Sequence, residues 1–155
     1  MPSSPPRSSV DRTTAVLATA TAGGLIALQA PINGRFGREI GALPAASVSF
    51  ALGLAALLAL VAIRGEVGRL GEAGGVPWWY LTGGILGAVY VPTVLMTVGT
   101  LGAGPVVAAT IAAQLSVSLV VDQFGWLGVT KDPIAASQAA GVAFLALGVY
   151  LVVRE

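Results

Sequence analysis

The sequence predicts an all-α integral membrane protein with five transmembrane helices, and three observations support this prediction. Apolar residues make up 55% of the 155 positions and charged residues only 10%, against roughly 45–50% and about 25% in an ordinary soluble domain. The apolar residues are concentrated in five long segments. Each segment has about 20 residues, which is the length that crosses a hydrocarbon core of about 30 Å as a helix.

The composition also excludes several classes of function. The chain contains neither Cys nor His, which removes thiol nucleophiles, disulfides, thiolate or imidazole metal sites and the Ser-His-Asp triad. The net charge is +1 and no basic run is present, so we expect no nucleic acid partner. The sequence therefore predicts neither an enzyme nor a cofactor or metal protein, and its main partner is predicted to be the lipid bilayer.

The elements follow in order along the chain. Residues 1–13 are polar and rich in Pro and Ser, which is typical of a disordered tail. Residues 14–155 are predicted to form one transmembrane domain, with helices at about 14–34, 44–63, 77–98, 103–122 and 133–153. Prolines near four of the helix starts support these boundaries, because a proline in the first turn loses no helical hydrogen bond. These prolines are Pro44, Pro77, Pro105 and Pro133.

The first helix carries two carboxamides near its end. Gln29 and Asn33 are four residues apart and share a helix face. Between them Pro31 removes a donor and frees the carbonyl of Ala27, so we expect a kink with an unpaired carbonyl near the carboxamides. Polar groups at membrane depth are tolerated mainly where they face protein or water, which predicts that this face points inward. The alternative is that both carboxamides lie at the interface and cap the helix end.

The second and third helices add candidate polar groups. Ser49 belongs to a stripe of small residues that favours close helix packing. Tyr90 lies in mid-helix, two residues before Pro92, and its phenol is predicted either to bond inward or to pack as a core aromatic. Trp78, at the start of the third helix, and Tyr150, near the end of the fifth, suit the lipid headgroup layer.

The fourth helix carries a polar stripe formed by Gln114, Ser118 and Asp122 at four-residue spacing. Gln114 is predicted to lie near the middle of the bilayer, where a carboxamide needs a partner. Asp122 is nearer the surface. It is a candidate for ion coupling, and it equally suits a role in ending the helix.

The positive charges give little information on orientation. With five spans the termini lie on opposite sides, and the charges divide five against three, a weak bias. Either one topology is preferred, or the chain inserts in both directions. Dual insertion would let two copies form an antiparallel pair with the symmetry of an inverted repeat.

Several motifs in order resemble the YdcZ-type family of inner-membrane exporters, which belongs to the drug/metabolite transporter (DMT) superfamily. They are Gln29-x3-Asn33-Gly34, Ala46-Ser47-Val48-Ser49-Phe50, Pro77-Trp78-Trp79, Gly83-Gly84-x2-Gly87-Ala88-Val89-Tyr90, Leu101-Gly102-Ala103 and Gln114-x3-Ser118-Leu119-x2-Asp122-x-Phe124-Gly125. The resemblance implies one half of a ten-helix bundle built from two inverted five-helix halves. It also implies pairing, as an antiparallel homodimer or with an oppositely oriented related subunit.

These inferences lead to a hypothesis of a transporter in the inner membrane, working as a dimer by alternating access. A small neutral or zwitterionic solute would bind in a cavity between the first, third and fourth helices. Its candidate ligands are Gln29, Asn33, Ser49, Tyr90, Gln114 and Ser118. Small multidrug resistance transporters place a titratable carboxylate in their first helix, where this chain has two amides, so that coupling chemistry is not expected. The alternative hypotheses are a membrane scaffold that transports nothing, and a channel.

Overall fold

The structure, a computed structural model, describes residues 11–154. Within that range it contains no strand and five α-helices, all long and apolar enough to cross a membrane. The helices are α1 (Arg12–Ile40), α2 (Ala42–Ile63), α3 (Thr82–Leu101), α4 (Ala103–Phe124) and α5 (Ala136–Val153). Short 3-10 helices at Val67–Gly75, Trp78–Leu81 and Trp126–Gly128 occupy the connections. The prediction of an all-helical chain with five spans is confirmed, while most of the predicted tail lies outside the described residues.

Helix α1 is longer at both ends than the sequence predicted. It begins at Arg12 because the Asp11 carboxylate accepts hydrogen bonds from the backbone amides of Thr13 and Thr14, at 2.8 and 3.2 Å. The Thr14 hydroxyl and these amides lower the pKa of Asp11 below its ordinary value. At the other end the helix continues past residue 34 to Ile40, for 29 residues in all. At about 44 Å it exceeds the hydrocarbon core.

Helices α3 and α5 start later than predicted. Pro77 precedes the 3-10 turn at Trp78–Leu81, so the α-helical part of the third span begins only at Thr82. The α5 helix begins three residues after Pro133. Two glutamine side chains hold the two residues that precede α5. The Ile134 amide donates to Gln123 Oε1 at 2.7 Å, and the Ala135 amide donates to Gln138 Oε1 at 2.8 Å.

The first four helices form two hairpins with the same turn. A single glycine ends one helix and starts the next in each: Gly41 has φ 94° and ψ 148°, and Gly102 has φ 84° and ψ 164°. Each glycine amide donates to the carbonyl four residues earlier, at 2.9 and 3.0 Å respectively. Both glycines follow a proline by ten residues and precede another by three; these prolines are Pro31 and Pro44, and Pro92 and Pro105. The two hairpins are therefore local repeats of one design.

The core lies near the end of the bundle where the two glycine turns are found. Helices α1, α2 and α3 contact one another, α4 contacts α3 and, more extensively, α5, and α5 packs mainly on α4. Most of the buried apolar residues form two clusters: Ala30, Val94, Val98 and Val106, and Ala45, Ala46 and Leu95. No residue of α5 is buried. Most large apolar side chains are exposed, as expected for helices whose solvent is lipid.

Candidate functional site

Three of the predicted polar side chains lie at one depth. Gln29 and Tyr90 each lie twelve residues before the glycine that ends their helix, and Gln114 lies twelve residues after Gly102. At about 1.5 Å per residue, each is about 18 Å from that end of the bundle. Gln114 is the twelfth of the 22 residues of α4, so a bilayer centred on that helix would place the three polar groups near its middle.

The interfacial capping role considered for Gln29 and Asn33 does not fit the structure. Helix α1 continues to Ile40, so both carboxamides lie inside the helix and neither can cap its end. Asn33 is buried, with 7% of its surface exposed. Its Oδ1 accepts a hydrogen bond of 3.1 Å from Ser49 Oγ on α2. This pair joins the two helices of the first hairpin, eight residues from Gly41 on either side.

A small pocket brings together Gln29, Asn33 and Tyr90 between α1 and α3. Its volume is about 10 Å³, which is close to the minimum that admits one water molecule. Three of the six candidate ligands thus line one pocket, and the space among them suits a water and not a solute.

A larger groove runs between α3 and α4, with Tyr90 on one wall and Gln114 on the other. Its volume is about 350 Å³, within the usual range of about 300–1,000 Å³ for small-molecule sites. Three further hydroxyls line it that the sequence analysis missed, on Thr93, Thr97 and Thr110. Their spacing held a usable signal, because Tyr90, Thr93 and Thr97 recur at three and four residues and so share one face of a helix.

The other two polar candidates on α4, Ser118 and Asp122, do not line this groove. Ser118 lines a second, open depression of about 460 Å³ together with Gln114. Asp122 is in the last turn of α4, and its backbone carbonyl accepts the amides of Gly125 and Asp132 at 3.2 and 2.9 Å. It lies eight residues from Gln114, or about 12 Å along the helix.

The expectation that Pro31 leaves an unpaired carbonyl close to the Gln29 and Asn33 carboxamides is wrong. Pro31 lines a depression with Ile32 and Arg35, apart from the pocket that contains Gln29 and Asn33. The reason is helical geometry, because two residues of α-helix rotate a side chain by about 200°. Any carbonyl that Pro31 leaves free thus lies on the opposite face from the carboxamides.

A third groove, between α1, α4 and α5, has a different character. Its volume is about 610 Å³, and every side chain that lines it is apolar, including those of Ala27, Ala108 and Phe144. It offers no side-chain hydrogen bond to a solute. This groove is therefore unsuited to recognising a polar molecule.

Comparison with known proteins gives one match. Residues 14–151 match the model of a family described as "Putative inner membrane exporter, YdcZ". No curated protein and no solved structure matches the chain significantly.

Proposed function

The chain belongs to the YdcZ family of inner-membrane exporters, and we propose that it exports a small neutral or zwitterionic solute as one half of an antiparallel dimer. The family match confirms the resemblance drawn from the motifs. With its five apolar spans, the chain is a multi-pass protein of the inner membrane. Membership of an exporter family favours a transporter over an enzyme.

The observation that supports the dimer most strongly is the exposure of polar side chains at mid-membrane depth. Gln29 and Gln114 are exposed on the single chain, and Tyr90 is 37% exposed. Lipid gives such groups no hydrogen-bond partner, so they are tolerated where they border protein or a water-filled cavity. A second copy that covers this face would provide both a protein surface and a water-filled cavity between the two copies.

The spaces of the single chain lead to the same proposal. The pocket between α1 and α3 admits about one water, whereas the solute-sized grooves are wider and more open at the surface. A partner copy would supply the missing wall and place its own polar groups at the same depth. Rocking one half against the other about this central site would then give alternating access, with Asp122 the candidate for ion coupling.

One contact favours a second candidate function, that of a membrane scaffold. The bond between Asn33 and Ser49 is internal to the chain, so this pair stabilises helix packing whether or not a solute is moved. Interhelical bonds of this kind contribute about 0.6 kcal/mol on average in membranes. The two functions assign different roles to Gln114, whose side chain is exposed on the α3–α4 groove. In an exporter it binds the solute, whereas in a scaffold it only stabilises the dimer.

We expect Gln114→Ala to reduce export by about three- to tenfold while the dimer persists, because it removes about one solute hydrogen bond. The measurement is release of a loaded library of small metabolites from vesicles containing the protein, followed by mass spectrometry. Ser116→Ala is the matched control, since its hydroxyl donates to the Ala112 carbonyl of its own helix at 2.8 Å. Unchanged release with a weakened dimer would instead support the scaffold.

We expect both termini to be found on both sides of the membrane in one preparation, because the charge bias is weak. Tags at the two ends, labelled with an impermeant reagent in intact vesicles, measure this directly. If every copy shows the same terminus outside, the antiparallel homodimer is excluded. An oppositely oriented related subunit would then be the partner to seek.

A further inference from the structure

The groove between α3 and α4 has walls of unequal hydrogen-bonding character. Building on the proposed function, we propose that it selects uncharged solutes that carry two or more hydrogen-bond donors, such as polyols and primary amides. This is narrower than a neutral or zwitterionic solute, because it excludes any molecule that brings a formal charge into the groove.

The two threonines of the α3 wall present hydrogen-bond acceptors. Thr93 Oγ1 donates to the Val89 carbonyl at 2.8 Å, and Thr97 Oγ1 donates to the Thr93 carbonyl at 2.9 Å. Each hydroxyl has one hydrogen, and both hydrogens are used within the helix. The lone pairs that remain can only accept. Because the two threonines are four residues apart, the acceptors lie about 5–6 Å from each other, which matches a solute with two separated donors.

The opposite wall can both donate and accept. Gln114 supplies an amide with two donor hydrogens and one acceptor oxygen, and Thr110 adds a hydroxyl. On the α3 wall, Tyr90 adds a phenol that can donate as well as accept. The remaining lining is apolar, from Val94, Leu101, Val106, Ala109 and Ala113. A solute that donates to α3 and exchanges hydrogen bonds with α4 would satisfy both walls.

The groove offers nothing to balance a charge. Among residues 11–154, its lining contains no Asp, Glu, Lys or Arg. Moving an unpaired ion out of water costs several kcal/mol in a protein interior, and amide or hydroxyl dipoles recover only part of this. Charged lining does occur elsewhere in the chain, in the depression beside Pro31 that includes Arg35 and Glu39. Recognition of charge and recognition of hydroxyl or amide donors are thus separated in space.

The test uses thermal unfolding of the purified full-length protein with solutes matched in size but not in charge. The two pairs are erythritol with erythronate, and nicotinamide with nicotinate. A solute that binds only the folded state raises the unfolding temperature with a concentration dependence that gives its Kd. We expect the uncharged member of at least one pair to bind at least tenfold more tightly than its charged counterpart.

Threonine variants assign the effect to this groove. Thr93→Val and Thr97→Val remove one acceptor each with little change in shape, and we expect each to raise the Kd of the uncharged solute about three- to tenfold. Thr19→Val is the matched control, because the Thr19 hydroxyl also donates within its own helix, to the Ala15 carbonyl at 2.8 Å. Thr19 lies on α1 away from the groove, so its variant should leave Kd unchanged.

The remaining outcomes contradict the proposal. Tighter binding of erythronate or nicotinate would show that the groove accepts charge, and equal Kd values for the wild type and both groove variants would show that the threonines do not select. Failure of all four solutes to stabilise the protein would reject polyols and primary amides as its substrates. None of these results removes export itself, because the vesicle experiment with an unrestricted metabolite library judges that function separately.

Discussion

Replacing Gly34 with alanine is expected to cost about 1–3 kcal/mol of unfolding free energy, the usual range for overpacking a buried contact. Gly34 is buried where α1 crosses α3, and a Cβ atom built there would overlap Cγ1 of Val98. Val98 is itself buried, with 7% exposed. As a β-branched residue it has one strongly preferred rotamer in a helix, so relief requires the two helices to separate.

Unfolding of the purified protein in mixed micelles, followed by circular dichroism, measures this loss. Gly24→Ala is the matched control on the same helix, since nothing lies within 4 Å of a Cβ there. That change should be neutral or stabilise the helix by about 0.5–1 kcal/mol. The double variant Gly34→Ala/Val98→Ala should recover part of the loss. Equal stability of the Gly34 and Gly24 variants would mean that the contact is looser than the structure indicates.

The number and type of the helices could be predicted because hydropathy alone decides which segments cross a membrane. The residues at which the helices begin and end were harder to predict. The first helix was predicted to end at about residue 34, yet backbone hydrogen bonds carry it to Ile40, where Gly41 turns the chain. The start of α5 depends on Gln123, a residue of the preceding helix. That contact lies outside the fifth segment, so the segment's own pattern contains only part of the information.

The sequence predicts which candidate residues share a face of one helix, but not which residues of different helices are in contact. Periodicity correctly placed Gln29 with Asn33, because four-residue spacing fixes a shared helix face. It could not reveal that Asn33 bonds to Ser49, since that contact depends on how α1 packs against α2. The threonines of the α3–α4 groove were missed for another reason. A threonine in an apolar helix can satisfy its hydroxyl on its own backbone, so it does not by itself indicate a site. Thr93 and Thr97 nevertheless follow Tyr90 on one face.

The repeated hairpin leads to the second large prediction. Gly41→Ala and Gly102→Ala are each expected to cost about 1–3 kcal/mol, because both glycines adopt a backbone conformation that is close to exclusive to glycine. The strain is unavoidable, since each residue ends one helix and begins the next with no other connecting residue. The losses in the double variant should add, because the two turns lie in different hairpins and are expected to act as independent sites.

The same unfolding experiment measures both variants, with Gly99→Ala as the control on α3. Gly99 lies in the helix interior and has no atom within 4 Å of a built Cβ, so alanine there should not destabilise the protein. If Gly102→Ala behaves like Gly99→Ala, the turn does not need the positive φ. The expected loss has a functional side as well. Gly102 sets Tyr90 and Gln114 at equal distances along α3 and α4, so a turn that relaxes by one residue would move Gln114 about 100° around its helix and out of the groove.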